Sequence, residues 1–113
     1  MIEHYSFGRM TIDGVEYTSD VVILPDRRVV PSWRRREGHR LALDDLGTVL
    51  DARPSTLIVG TGRFGLMRPE KRLAHELEQR GVSIQTATTA KAATLYNERS
   101  DEPGTAACFH LTC

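Results

Sequence analysis

From Leu57 to Leu111 the apolar residues switch repeatedly between the spacing of a buried strand and that of a helix, and no other feature narrows the possible folds as much. Thr56-Leu57-Ile58-Val59 reads as a continuous buried strand, broken by Gly60-Thr61-Gly62. A helix is predicted next, with Pro69 in its first turn, Leu73 and Leu77 inside and Gly81 beyond its end. Val82–Thr86 returns as a strand. A third, short helix follows, with Thr89 as N-cap and Ala92, Ala93 and Tyr96 along one face, and Thr105–Leu111 supplies the last strand. Strands joined through helices cannot pair as hairpins, so this part of the chain predicts a largely parallel sheet with right-handed crossovers.

The first third reads differently. Asp13-Gly14 separates Arg9–Ile12 from Val15–Thr18, and that dipeptide accepts the positive φ angles of a type I′ hairpin turn. Val21-Val22-Ile23-Leu24 is a third strand ending at Pro25-Asp26, and Val29-Val30 begins another that Pro31 closes. An antiparallel meander is therefore expected at one side of the parallel strands or over one face, making the whole sheet mixed. Between the two parts, Leu43, Leu46, Val49 and Leu50 share a helical face, Asp44 and Asp45 favour the positive end of that helix, and Pro54 stops it. Ser100-Asp101-Glu102-Pro103-Gly104 reads as a polar connection. With 113 residues, the expectation is one α/β domain over 1–113.

Charge removes several partner classes. Fifteen basic and fifteen acidic residues leave a formal net charge of zero, so no overall field draws the protein to nucleic acid or to an anionic membrane. Two cysteines, Cys108 and Cys113, are too few for a secreted disulfide framework. The first residues, Met1-Ile2-Glu3-His4-Tyr5, lack the basic and apolar regions of a signal peptide, and no run approaches a membrane span, so a cytoplasmic protein is expected.

Three local patterns could carry chemistry. Gly60-Thr61-Gly62-Arg63-Phe64-Gly65 matches the glycine spacing that lets a backbone approach a pyrophosphate. However, Leu66-Met67-Arg68 intervene before the helix, and Val82–Thr86 ends without the acidic residue that would hold a ribose. A structural turn is favoured over a dinucleotide site, while Arg63 and Arg68 keep an anion loop open. The segment Arg27 to Arg40 holds six arginines, Arg27, Arg28, Arg34, Arg35, Arg36 and Arg40, against the single Glu37, with Trp33 and His39 interleaved. Guanidinium groups beside an aromatic ring can grip phosphate, RNA or an acidic protein surface. Pairing with Asp26, Asp44 and Asp45 in a solvated loop anchored by Trp33 is preferred over nucleic-acid binding. Finally, Cys108, His110 and Cys113 offer three zinc-type ligands, but no spacing recruits a fourth from His4, His39 or His75. A buried thiol and a hydrogen-bonded core histidine are favoured over a metal centre. No nucleophile elbow, zinc-protease helix, phosphate-loop lysine or carboxylate pair with a defined role is present, Asp44-Asp45 being better explained as helix charge, so no catalytic residue and no cofactor are assigned.

The chain resembles the small Mth-type domain family of unknown function, whose animal members include an adipogenesis-associated protein and a mitochondrial complex I assembly factor. The likeness runs nearly end to end, on Trp33-Arg34 with Arg36-Glu37-Gly38-His39, on Leu57-Ile58-Val59-Gly60-Thr61-Gly62, on Thr89, Ala92 and Tyr96-Asn97, and on His110-Leu111-Thr112-Cys113. The resemblance implies a three-layer α/β fold around a central mixed sheet, no catalytic residue, and action through protein partners. It directs attention to the Gly60-Thr61-Gly62 loop, His39 and the His110 segment; Cys108 lies outside its motifs. No mitochondrial transit segment precedes the domain, so import is not expected. The combined reading is a non-catalytic interaction or assembly module that contacts a protein partner through Trp33, Arg34, Arg35 and Arg36. The alternative is a small-anion binder or cryptic enzyme using Gly60, Thr61, Gly62, Arg63, His39 and His110. Exposed sheet edges permit a monomer or a homodimer.

Overall fold

The computed structural model describes residues 1–113. The meander divides between two sheets. β1 (Ile2–Ser6), β2 (Arg9–Ile12) and β3 (Val15–Tyr17) form a three-stranded antiparallel sheet, with β1 an additional strand that the sequence reading left unassigned. The β2–β3 hairpin turns at Asp13 and Gly14, with φ of 49° and 82°, the conformation expected of that dipeptide. β4 (Val21–Ile23) and β5 (Val29–Val30) leave this sheet and join β7 (Thr56–Thr61), β9 (Ser83–Ala87) and β10 (Thr105–His110) in the main one, whose order is β5-β4-β10-β7-β9. There β7 and β9 run parallel to β10, while β4 pairs antiparallel with β10 and with β5. Only β4 therefore opposes the common direction, which makes the sheet mixed and largely parallel.

Helices cover both faces. A 3₁₀ turn at Leu43–Leu46, α1 (Gly47–Asp51) and α2 (Leu73–Glu78) pack with Val22, Leu57, Val59, Ala106 and Cys108 on one side. On the other, α3 (Thr89–Arg99) and the three-stranded sheet pack with Val21, Ile23, Ile58, Ala107 and Phe109. Strand period explains the division, since successive residues of β10 point to opposite faces. The connection from β7 through α2 to β9 moves outward along the sheet and that from β9 through α3 to β10 moves back, so a single crossover hand places the two helices on opposite faces. Asn97 fastens the three-stranded sheet to α3, accepting from the Ile2 N–H and donating to the Ile2 carbonyl, each at 2.8 Å.

Five local expectations change. The helix read as short is the longest, α3 at 11 residues against 6 in α2. Pro69 lies outside α2, in a two-residue strand β8 (Arg68–Pro69) parallel to β6 (Arg40–Leu41). The Arg68 and Glu70 N–H groups donate to the His39 and Leu41 carbonyls, so Pro69 sits at the alternate position where no donor is needed. The strand before the glycines continues through Gly60 and Thr61, because Gly60 and Thr61 stay in register with Phe109 and His110. The helical stretch after Leu43 is a 3₁₀ turn leading into a short α-helix. At the start of α3, Thr88 occupies the N-cap position, and Thr89 is buried with its hydroxyl turned to other partners.

Candidate functional site

The antiparallel register of β4 with β10 sets Val21 opposite Phe109, and one residue further it brings Asp20 beside His110. Asp20 Oδ2 accepts from His110 Nδ1 at 2.8 Å and from Arg35 Nη1 at 3.0 Å, while Oδ1 accepts from the Leu111 N–H at 2.8 Å. Its backbone carbonyl accepts from the Trp33 N–H at 2.9 Å. Burial pushes the Asp20 pKa upward, but the hydrogen bond from His110, the Leu111 N–H and the Arg35 guanidinium outweigh it and hold the carboxyl below its ordinary value. The carboxylate is therefore the stable form, and it neutralises an Arg35 side chain that is only 5% exposed.

Arg35 is held on every side. Its Nε donates to the Gly38 carbonyl at 3.2 Å, Nη2 lies 3.0 Å from His110 Nδ1, and its guanidinium carbon stands 4.7 Å from the centre of the Trp33 ring. Trp33 is half-buried and donates through Nε1 to the Asp45 carbonyl at 2.9 Å. The Asp45 carboxylate accepts from the Arg36 and Ala42 N–H groups, so it ties the arginine loop to the 3₁₀ turn. Of the three carboxylates expected to pair with the arginines, only Asp26 does so, with Arg28; Asp44 and Asp45 form no ion pair, and Arg27 pairs instead with Asp101, Arg35 with Asp20 and Arg40 with Glu37. Arg34 and Arg36 are exposed and their guanidinium groups have no carboxylate within ion-pair distance.

The glycine bend meets the same site from the other side, and the chain itself fills it. The Gly62 N–H donates to Thr89 Oγ1 at 2.9 Å, and that hydroxyl donates to the His110 carbonyl at 2.6 Å. Gly62 has φ of 101°, and a Cβ there would stand 2.6 Å from the Cys113 carbonyl oxygen. A Cβ on Gly60 would stand 2.7 Å from the Phe109 ring and 3.1 Å from the Thr89 Cα, so this glycine permits the close approach of β7, β10 and α3. The Thr61 hydroxyl donates to the Ala87 carbonyl, and the Arg63 N–H donates to the Thr112 carbonyl while its side chain is exposed. Phe64 and Leu66 project from this loop, 67% and 44% exposed.

The histidines named from the sequence come together. The His39 and His110 rings lie 6.2 Å apart at an interplanar angle of 72°, and His110 Nε2 is buried with no hydrogen-bond partner. No three metal-ligating side chains converge around them. Cys108 shares the His110 face of β10 but is fully buried, and burial drives its thiol far above the ordinary range. Asp20 escaped the sequence reading because it carries no motif; only the pairing of two strands separated by some 90 residues joins it to His110. The Thr89 link was missed because its type and position also fit an N-cap.

Fold and site define a small three-layer α/β domain in which a buried Asp-Arg-His cluster fastens an arginine-rich loop to the end of the central strand. Residues 2–110 match the protein family of unknown function DUF498/DUF598, and the chain belongs to that family. Its fold is that of a conserved hypothetical protein from Pyrococcus horikoshii, at 28% identity, covering 100% of this chain and 99% of that one with a TM-score of 0.85. It is also similar to a protein named MT938, at 30% identity over 100% and 98% of the two chains with a TM-score of 0.82. A Bordetella pertussis protein described as a Mth938-like domain shares the fold at 17% identity, over 98% and 85% of the chains, with a TM-score of 0.68. No curated protein matches the chain. No helix is long and apolar enough to cross a membrane.

Proposed function

We propose that this domain acts by holding a protein partner, with the loop around Trp33, Arg34, Arg35 and Arg36 as its contact surface. The observation that carries this reading is the contrast within one run of arginines. Arg35 is buried and fixes the loop through Asp20, Gly38 and Trp33, whereas Arg34 and Arg36 face solvent and their guanidinium groups take no ion-pair partner. A rigid loop that presents unpaired guanidinium groups loses little conformational freedom on docking, and each group offers paired hydrogen bonds to a carboxylate. The partner is accordingly an acidic protein surface. The proposed place of action is the cytoplasm, whose reducing conditions suit two free cysteines. The test compares the intact protein with an Arg34→Ala/Arg36→Ala variant in affinity purification, followed by titration of each recovered protein. A loss of about tenfold or more in affinity, with unchanged urea stability, is expected for the true partner. Equal binding by the variant, or no partner retained above background, refutes the reading.

One observation favours a second reading. With Nδ1 donating to Asp20, His110 Nε2 is left as a buried acceptor without a partner, close to His39 and in register with Thr61, which suits the hydroxyl of a partly protonated small anion such as hydrogen phosphate, or a cryptic enzyme, more than a pure interaction module. The glycine bend gives this reading less support, since the Gly62 N–H is already given to Thr89. A thermal-shift screen of phosphates, nucleotides and carboxylates decides it. Stabilisation at millimolar ligand that disappears in His39→Ala supports it, and no shift in the whole screen removes it.

A further inference from the structure

The two edges of the main sheet are unequally protected. β5 is only two residues long and is flanked by Arg27, Arg28 and Pro31, features that discourage pairing. β9 has five residues, Ser83-Ile84-Gln85-Thr86-Ala87, with no charge and no proline. The Ser83 N–H faces β7, donating to the Ser55 carbonyl at 3.0 Å. Alternation along a parallel strand therefore directs the backbone groups of Ile84 and Thr86 outward, where no strand meets them. Clefts border this edge on both faces of the sheet: one of 520 Å³ lined by Ala87, Ala90, Lys91, Thr94 and Leu95, and one of 450 Å³ lined in part by Ala74, Val82 and Ile84.

We infer that β9 and the neighbouring face of α3 form a two-fold interface with a second copy of this chain. Antiparallel pairing of β9 with itself about Gln85 sets Ile84 against Thr86 of the partner, which satisfies all four outward backbone groups, and sets small Ser83 against small Ala87. The helix obeys the same symmetry. From Ala87 back to Gln85 is about 7 Å along the strand, and from Thr89 to the midpoint of Thr94 and Leu95 is about 8 Å along the helix, so one axis passes both centres. Lys91 and Glu98 lie nearly equal distances either side of that midpoint, both exposed and neither in an ion pair. The axis then brings Lys91 of each copy to Glu98 of the other, with Thr94 and Leu95 meeting at the centre. Charge complementarity of the face with itself selects a second copy over an unrelated strand. The arginine loop is left free in both copies.

Sedimentation equilibrium of the intact protein across micromolar to millimolar concentration tests this assignment. A monomer–dimer equilibrium is expected, with Lys91→Glu and Glu98→Lys each raising the dissociation constant about tenfold or more and the double variant returning it towards the original value. Both positions are exposed, and far-ultraviolet circular dichroism verifies that each variant is folded. A monomer at every concentration overturns the proposal, as does a dimer that neither single substitution weakens or that the double exchange fails to restore.

Discussion

Replacing Asp20 by Asn tests whether the arginine loop is fastened by a buried charge. Asp20 Oδ2 faces two donors, His110 Nδ1 at 2.8 Å and Arg35 Nη1 at 3.0 Å. Asn keeps one accepting oxygen for the Leu111 N–H but turns an amide donor toward Arg35, and the guanidinium is left buried without its counter-charge. Breaking a buried pair in this way costs about 3–5 kcal/mol, and the lower end applies because Arg35 retains the Gly38 carbonyl and the Trp33 face. With the slope usual for a small domain, the urea midpoint falls by roughly 1–3 M. Trp33 is the only tryptophan, so its emission reports on the loop directly and shifts to the red as the ring becomes wetted. The pH dependence supplies an independent sign. The Asp20 pKa is lowered on folding, so its contribution is complete above the unfolded aspartate value near about pH 4 and is lost as pH falls through the folded value. Asp20→Asn therefore removes part of the acid limb of the stability curve. A variant within about 0.5 kcal/mol of the parent at pH 7, with unchanged emission and an unchanged acid limb, refutes the reasoning.

Other substitutions probe the remaining links. Thr89→Val keeps the shape but orphans the Gly62 N–H and the His110 carbonyl in a buried place, at a cost of about 1–3 kcal/mol per group in urea titration. Gly62→Ala pushes a Cβ into the Cys113 backbone from a left-handed conformation and destabilises by more than about 1 kcal/mol, read as a lower urea midpoint. Gly60→Ala overpacks the junction of Phe109 and Thr89, costing about 1–3 kcal/mol in the same titration. Titration of native protein with a thiol reagent modifies Cys113 alone, with Cys108 reacting only after unfolding, because the Cys108 thiol is buried and its pKa raised.

Local order along this chain is written in short-range chemistry. Asp13-Gly14 specifies its turn because few other dipeptides accept two successive positive φ angles, and the run Leu57–Val59 specifies a buried strand because it is apolar, partly β-branched and confined between Pro54 and Gly60, too short for a helix. The alternation of strand and helix after Leu57 likewise determines a largely parallel sheet, because strands joined through helices cannot pair as hairpins. Pro69 shows the limit: its residue type suits a helix start and an edge strand equally, and the choice rests on the His39 and Leu41 carbonyls, which reach it from a distant segment. The arginines show it again, since Arg34, Arg35 and Arg36 are chemically alike in sequence, and only the meeting of β4 with β10 decides which one Asp20 buries. Turns and burial follow from neighbours a few residues away. The site depends on strand register, a long-range property in which a shift of one residue would carry His110 to the opposite face of the sheet.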